Sequence, residues 1–154
     1  MGIALKEEFD ALFPPGLHKI DLSDMGKLFV DPFPNSVARP IICEKFLSYI
    51  ERIKSFGFPF TVWIDGSFCT VKPEPDDIDL MLVVNEEQIN NIPPEKQQEL
   101  GNLFNQSYAK SIYRCDVYLT GENDDIKLSY WRGWYGFYRD KVTAKGFAFL
   151  EITP

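Results

Sequence analysis

The residues of greatest chemical interest are three aspartates that open two predicted strands. Asp77 and Asp79 begin the apolar run Asp77–Val84, and Asp116 lies within the β-prone run Ser111–Thr120. Alternate residues of a strand point to the same face, so Asp77 and Asp79 share a face. If the two strands are neighbours, the three carboxylates converge. Carboxylates so placed raise each other's pKa values unless cations neutralise them, and oxygen ligands of this kind suit Mg²⁺ or Mn²⁺.

Several other residues could hold phosphates near these aspartates. Gly66 and Ser67 follow a β-prone run and offer backbone N–H groups and one hydroxyl. Lys72 lies between this pair and the aspartates, where it could reach a phosphate. A solvated loop position is the alternative for Lys72.

Three more cations occur late in the chain. Arg132 and Arg139 are seven residues apart, on one side of a predicted helix, and Lys145 follows soon after. They could line a groove for a triphosphate or an acceptor. A solvated helix face is the alternative, and for the two arginines the pattern favours it.

The order of these motifs resembles that of the DNA polymerase beta-like nucleotidyltransferase superfamily. Trp63-Ile64-Asp65-Gly66-Ser67 is followed, after ten residues, by Asp77-Ile78-Asp79-Leu80, and then by Asp116 on a later strand. The resemblance covers roughly residues 60–120. More loosely, the whole chain is similar to small stand-alone bacterial members, including minimal transferases of toxin–antitoxin and phage-defence loci.

This resemblance implies a nucleotidyltransferase fold and Mg²⁺-dependent transfer of a nucleoside monophosphate from an NTP, such as ATP, to a hydroxyl acceptor. It implies that Asp77 and Asp79 bind metal, that Asp116 completes a second metal site and activates the acceptor, and that Gly66 and Ser67 hold the triphosphate. A protein side chain, an RNA end or a small molecule would fit as acceptor. One departure is that Pro73 and Pro75 fill a segment where many relatives have a short helix.

The Asp-x-Asp tripeptide also occurs in other kinds of site. An Asp-x-Asp tripeptide alone is commonly a solvated turn or cap. Phosphatases of the haloacid dehalogenase type carry theirs after the apolar strand rather than at its start, and no Asp-Gly calcium loop follows here. The alternative function is a catalytically silent binding or regulatory module, antitoxin-like, with the same fold. Three mutually repelling carboxylates argue against it.

Composition and charge limit the choice of compartment and partner. The 154 residues suggest one domain, 1–154, with an irregular arm over 1–40. With 16 basic against 23 acidic residues the net charge is −7, which disfavours polyanions and favours a protein or small-molecule acceptor over RNA. The short chain leaves little for an acceptor domain, so a partner protein or homo-oligomer could complete the site.

The same features predict a cytoplasmic protein without a membrane segment. No apolar run approaches the ~20 residues of a membrane helix. Met1–Glu8 lacks the basic region and cleavage site of a secretory signal. The three cysteines have no metal-ligand spacing and are expected to be buried, reduced thiols, whereas His18, the lone histidine, is expected to be structural.

Periodicity predicts an α/β (α+β) domain with a mixed β-sheet and flanking helices. The expected helices are 22–29, 41–56, 94–107 and 124–138, and the expected strands are 60–65, 77–84, 111–120 and 146–152, with a loop at 68–76 and a polar connection at 85–91. In the last helix, four aromatic residues have i, i+3, i+4, i+7 spacing, which predicts that they pack into the core: Trp131, Trp134, Tyr135 and Tyr138.

Overall fold

The computed structural model describes residues 7–154 and contains a five-stranded mixed sheet. The strand order across the sheet is β1-β5-β2-β3-β4. Strand β2 runs antiparallel to β3 and β5, whereas β3 pairs with β4, and β1 with β5, in parallel. The strands are β1 Gly16–Lys19, β2 Phe60–Asp65, β3 Ile78–Val84, β4 Cys115–Gly121 and β5 Gly146–Ile152.

Helices cover both faces of this sheet, which confirms the predicted mixed α/β class. The α-helices are α1 Met25–Phe29, α2 Ala38–Lys54, α3 Glu86–Asn90, α4 Pro94–Phe104, α5 Gln106–Tyr113 and α6 Asp125–Tyr135, with 3₁₀ turns at Leu22–Asp24 and Ser67–Cys69. None of the helices in the described part of the chain has the length and apolarity needed to span a bilayer.

The two faces of the sheet are covered very differently. One face packs against α1, α2, α4 and α5 in a large apolar cluster, to which α2 contributes a buried stripe at helical spacing: Ile42, Phe46, Tyr49, Ile50 and Ile53. The opposite face carries a second, smaller cluster under α6, formed by Trp63, Met81, Tyr135 and Phe147. We call these the thick face and the thin face.

The strands at 60–65 and 146–152 match the predicted bounds, and the strand expected over 77–84 begins at Ile78, so Asp77 precedes it. Two predicted bounds fail at Asn105. The single helix expected over 94–107 is two helices, and β4 starts at Cys115 rather than at residue 111. Asn105 has an extended ψ of 122°, and its side-chain oxygen accepts the Tyr108 N–H, so it ends α4 and caps α5.

The N-terminal arm is more regular than its composition predicts. Gly16–Lys19 forms an edge strand whose register places Gly16 opposite Gly146. A four-residue strand is too short to show a period, and its hydrogen-bond partner is distant in sequence. His18 Nε2 donates to the Pro14 carbonyl at 2.7 Å, and its ring stacks on Phe13, in keeping with a structural role. The expectation about a secretory signal lies largely in residues 1–6, outside the described range.

All three cysteines are buried and free, as predicted. The aromatic stripe of α6 agrees with prediction only in part. Tyr135 is buried and Trp131 and Tyr138 are partly covered, but Trp134 is 48% exposed. The helix α6 lies over the thin face and ends at Tyr135, so Tyr138 is outside it. The surface beneath α6 is too narrow to bury every ring of the stripe, and Trp134 stays exposed.

Candidate active site

Three aspartates stand side by side across three adjacent strands. Asp65, the last residue of β2, pairs in register with Asp79 of β3, and Asp79 pairs with Asp116 of β4. Residues paired across neighbouring strands point to the same face, and the strands lie about 5 Å apart. Trp63, two residues from Asp65, belongs to the thin-face cluster, so the three carboxylates also lie on the thin face.

Asp79 is the centre of this row, and its surroundings are unfavourable for a negative charge. Burial is the largest effect that raises its pKa well above the ordinary value, followed by the charges of Asp77 and Asp116. A hydrogen bond with Asp116 and the charge of Asp65 act in the same direction. The carboxyl group is therefore one that gains a proton readily, or a cation where one is supplied.

Asp77 and Asp116, whose charges act on Asp79, are held by nitrogen groups of α5. Lys110 Nζ lies 3.4 Å from Asp77 Oδ2, and Gln106 Nε2 donates to Asp116 Oδ1 at 2.5 Å. Gln106 and Lys110 are four residues apart on one side of α5, so one helix face serves both carboxylates. The sequence reasoning missed both residues, although their helical spacing just before Asp116 was visible.

Asp65 is a site residue that the sequence reasoning did not select. Its side chain is buried and lies 3.3 Å from Lys145 Nζ. Burial raises the pKa of Asp65 to about 7, against the opposing effects of Lys145 and of the Gly66 N–H. The available signal was a charged residue at the end of an otherwise apolar strand, directly before Gly66-Ser67. Lys145 was selected as a phosphate ligand, and here it pairs with Asp65.

Gly66 makes the close approach between β2 and Asp79 possible. Its φ is +75°, a conformation that favours glycine, and a Cβ at this position would lie 1.7 Å from Asp79 Oδ2. The chain then enters the 3₁₀ turn Ser67–Cys69. The loop expected over 68–76 therefore begins with a short helical turn, even though Pro73 and Pro75 follow.

A buried arginine fixes the segment after that turn. The Arg39 guanidinium donates to carbonyl oxygens within and after the turn and to one in α1, and it stacks on the ring of Phe33, 3.7 Å from the centroid; the acceptors are Phe29, Phe68, Thr70 and Lys72. Glu74 accepts the N–H groups of Val37 and Ala38 at the start of α2. The proline-rich loop is therefore anchored to α2, and it presents Gly66 and Ser67 in a defined position.

A cleft of about 260 Å³ opens beside Gly66 and Ser67. Its opposite wall comes from the segment between α6 and β5 and carries Arg139, Lys141 and Lys145. The structure therefore brings Gly66, Ser67, Arg139 and Lys145 together, and adds Lys141, which the sequence reasoning did not name.

The other two predicted phosphate ligands lie at the edges of this arrangement. Lys72 Nζ is 6.0 Å from the ring of Phe9, which itself lines the cleft. Arg132 lies over Trp63, with its guanidinium carbon 5.9 Å from the ring centroid. The prediction that Arg132 and Arg139 share one helix side is wrong, because α6 ends at Tyr135 and Arg139 follows it. The Arg139 N–H donates to Glu8 Oε2.

A second, smaller cleft of about 160 Å³ lies directly over the carboxylates. Asp65 and Asp79 form its floor, and aromatic rings form its walls: Tyr118, Trp131, Trp134 and Tyr135. The Tyr135 hydroxyl is buried and has no hydrogen-bond partner among residues 7–154. Burial and the charges of Asp65 and Asp79 raise its pKa. An unpaired hydroxyl in this position is a donor or acceptor available to a ligand.

The carboxylates fit a divalent cation in donor chemistry but are not arranged around one. Asp77, Asp79 and Asp116 supply the oxygen ligands that Mg²⁺ prefers. Among the residues that the structure describes, no basic side chain forms a salt bridge with Asp79. Within residues 7–154, no group of three or more histidine, cysteine, aspartate or glutamate side chains is spaced to hold a metal ion. Asp116 already makes a hydrogen bond with Asp79, whereas Lys110 and Gln106 each occupy an oxygen, of Asp77 and of Asp116 respectively, that a metal ion would use.

Comparison with known proteins adds family membership and leaves the activity open. No curated protein and no solved structure matches the chain. A family's sequence model matches residues 7–151, nearly the whole chain, and therefore all the residues of the candidate site. The chain belongs to DUF6932, a family of unknown function.

Proposed function

We propose that this protein is a Mg²⁺- or Mn²⁺-dependent nucleotidyltransferase, which transfers a nucleoside monophosphate from an NTP to a hydroxyl acceptor. The observation that carries the proposal is the register that sets Asp79 beside Asp116 on one face of the sheet. The glycine turn at Gly66 lies against Asp79, and a cleft that contains three cations, together with Glu7 and Glu8, opens beside that turn. Carboxylates beside a phosphate-sized cleft that contains cations suit phosphoryl chemistry.

The roles follow from position. Asp77 and Asp79 would hold the metal ions, and Asp116 would share the second of them while accepting the acceptor's proton. When bound, the ions would offset the charge of the carboxylates and phosphates. Gly66 and Ser67 would bind the triphosphate through N–H groups and the hydroxyl, and Arg139, Lys141 and Lys145 would offset its charge.

The reaction itself exchanges one bond to phosphorus for another. The acceptor hydroxyl oxygen bonds to the α-phosphorus while the bond from that phosphorus to the bridging oxygen breaks. The electron pair leaves with pyrophosphate, and the hydroxyl proton passes to the Asp116 carboxylate. Orientation of the reacting groups and stabilisation of their charge would supply most of the rate.

A catalytically silent module is the second candidate, and one observation favours it. Three of the four carboxylates already have nitrogen partners, namely Lys110, Gln106 and Lys145. In such a module these contacts would be permanent and would serve the fold. In an enzyme they would open when metal and nucleotide enter.

Label transfer separates the two candidates. The purified protein is incubated with each α-labelled NTP, Mg²⁺ or Mn²⁺, and cell extract as a source of acceptors. We expect one acceptor to take up label. Asp116→Asn should abolish this transfer while sparing most NTP binding, whereas Asp76→Asn, an exposed neighbour of the site, should leave both unchanged.

A thermal-shift measurement gives an independent reading. An NTP with Mg²⁺ at a hundred times its dissociation constant stabilises the folded state by about 2.7 kcal/mol, which raises the Tm by several degrees. If no NTP shifts the Tm and no acceptor is labelled, the transferase proposal is wrong and the silent module is favoured.

A further inference from the structure

The charge of this acidic protein is unevenly distributed along the chain. Residues 126–145 hold five of its 16 basic residues but one of its 23 acidic residues, Asp140. The five are Lys127, Arg132, Arg139, Lys141 and Lys145. This segment comprises most of α6 and the loop to β5, and it is basic, although Asp124 and Asp125 lie at the start of α6 and Glu7 and Glu8 line the cleft that the loop borders.

The same segment presents aromatic rings to solvent. Tyr130 is 57% exposed and Trp134 is 48% exposed, and they lie four residues apart on one side of α6. Their ring centroids are 6.2 Å apart in an edge-on arrangement. Lys141 Nζ lies 3.1 Å from the centroid of the Trp134 ring, so cationic and aromatic groups share this surface.

The exposed rings are continuous with the carboxylates. Tyr130 contacts Trp131 edge to face at 5.4 Å, and Trp131 packs on Tyr118 at 4.6 Å. Tyr118 is two residues from Asp116 on the same strand face, and the charge of Asp116 raises the pKa of its hydroxyl, after burial. We call Tyr118, Tyr130, Trp131 and Trp134 the aromatic track. It leads from Asp116, the proposed proton acceptor, to the outer surface of α6.

We propose that the aromatic track binds a single-stranded polynucleotide and that its terminal sugar hydroxyl is the acceptor. This rests on the proposed function and names the substrate class of the same site. Surfaces for single strands combine aromatic rings, on which bases stack, with cations that follow the backbone. The net charge of −7 repels a polyanion at long range, so binding depends on the local cations beside these rings, such as Lys141.

Binding is tested first without nucleotide or metal, by fluorescence anisotropy of a labelled single-stranded RNA or DNA 12-mer. We expect binding that weakens with salt. Trp134→Ala should raise the Kd roughly 5- to 100-fold, the range for loss of one base–aromatic stack, and Trp134→Phe should restore most of the affinity. Tyr108→Ala is the matched control, because Tyr108 is an aromatic of similar exposure outside the track, and it should leave the Kd unchanged.

Two charge-reversal variants, one beside the aromatic track and one far from it, test whether binding is local. Lys141→Glu should weaken binding and reduce the salt dependence of the Kd, since it removes a cation beside Trp134. Lys27→Glu makes the same change in net charge on α1, which packs against the thick face, and it should have little effect. Equal weakening by both variants would show that binding follows net charge alone, which would overturn the proposal.

The outcomes separate this inference from the proposed function. Label transferred to a protein or small molecule, with no oligonucleotide bound or labelled, would overturn the inference and leave the transferase standing. Oligonucleotide binding that depends on Trp134, without label transfer from any NTP, would support the track and overturn the enzyme. If Trp134→Ala weakens NTP binding but leaves oligonucleotide binding intact, the ring serves the nucleotide, and the inference is wrong.

Discussion

The thick and thin faces of the sheet are built for different purposes. The thick face buries continuous apolar side chains under four helices, with Phe46 and Tyr49 fully covered. The thin face has one helix over it, a row of carboxylates at its edge and aromatic rings that are only partly covered. On the thick side the buried Arg39 is paired through several hydrogen bonds, whereas on the thin side, within residues 7–154, the buried hydroxyls of Tyr135 and Thr120 have no hydrogen-bond partner.

The comparison shows that the thick face stabilises the folded domain and that the carboxylates of the thin face destabilise it. Burial of apolar area on the thick face stabilises the domain. Placing Asp65 and Asp79 in covered positions opposes folding at neutral pH, because burial raises the pKa of both carboxyl groups and the charge of Asp65 adds to the rise at Asp79. Substitutions on the two faces should therefore affect stability and activity in opposite ways.

The largest expected effect is on activity from the thin face. Asp79→Asn should lower label transfer by about 10³-fold or more, since it removes the central charge of the site. The midpoint of urea unfolding of the apo protein should stay the same or rise, because the charge repulsion is relieved. Retention of transfer by a folded Asp79→Asn protein would remove Asp79 from the reaction.

The next effect is on stability from the thick face. Phe46→Ala leaves a cavity beneath α2 and should lower the free energy of unfolding by about 3–5 kcal/mol. Denaturant unfolding measures it, and transfer per folded molecule at low temperature should be unchanged. A loss of transfer larger than the unfolded fraction would show that the faces are coupled.

A smaller expected effect is a pH dependence of the free energy of unfolding that comes from the carboxylates of the thin face. The pKa of Asp65 is raised from its ordinary value near 4 to about 7 on folding, so the folded state holds the proton more tightly. The contribution is fully present below pH 4 and is lost as the pH rises to 7, with a slope of up to about 1.4 kcal/mol per pH unit. Unfolding midpoints at pH 5, 6 and 7 measure it.

Asp65→Asn is the matching variant for that measurement. It should reduce but not remove the fall in stability between pH 4 and 7, because the substituted side chain does not titrate whereas Asp79, whose pKa is also raised, still does. Saturating Mg²⁺ should also flatten it if the ion binds the carboxylate row. An unchanged slope in Asp65→Asn would assign the pH dependence to other groups.

The smallest expected effect comes from the unpaired hydroxyl. Tyr135→Phe should leave the apo protein equally stable or up to about 1 kcal/mol more stable, since a buried donor without a partner is removed. If the hydroxyl serves a ligand, the KM for the nucleotide should rise while the Tm does not fall. A clear loss of stability would mean that the hydroxyl has a partner.

The local parts of the site were predictable from sequence, and its completion was not. Gly66 and Asp79 were selected because a small-residue turn and an acidic strand start are patterns within a few residues. Asp65 was missed as a site residue because its pairing with Asp79 depends on the register between two strands. Lys141 and Gln106 were missed because their roles depend on which loop or helix faces the row.

The aromatic stripe of α6 shows that helical spacing alone does not predict burial. Its spacing correctly indicated a helix around Trp131 and Tyr135, and it incorrectly predicted that Trp134 would be covered. Periodicity reports which side chains share a helix face. It cannot report how wide the surface beneath that face is, and here a single helix over the thin face leaves Trp134 in solvent.

By itself the sequence determined the alternation and apolar content that form β2, β3 and β5, the need for glycine at position 66, and the overall acidity. These depend on neighbouring residues and on conformations available to single residues. Tertiary structure alone decided that Asp116 lies beside Asp79, that Lys145 reaches Asp65, and that Arg139 and Lys141 line the cleft beside Gly66. The physical reason is that strand order and register follow from burying the whole thick face at once, which no local segment can encode.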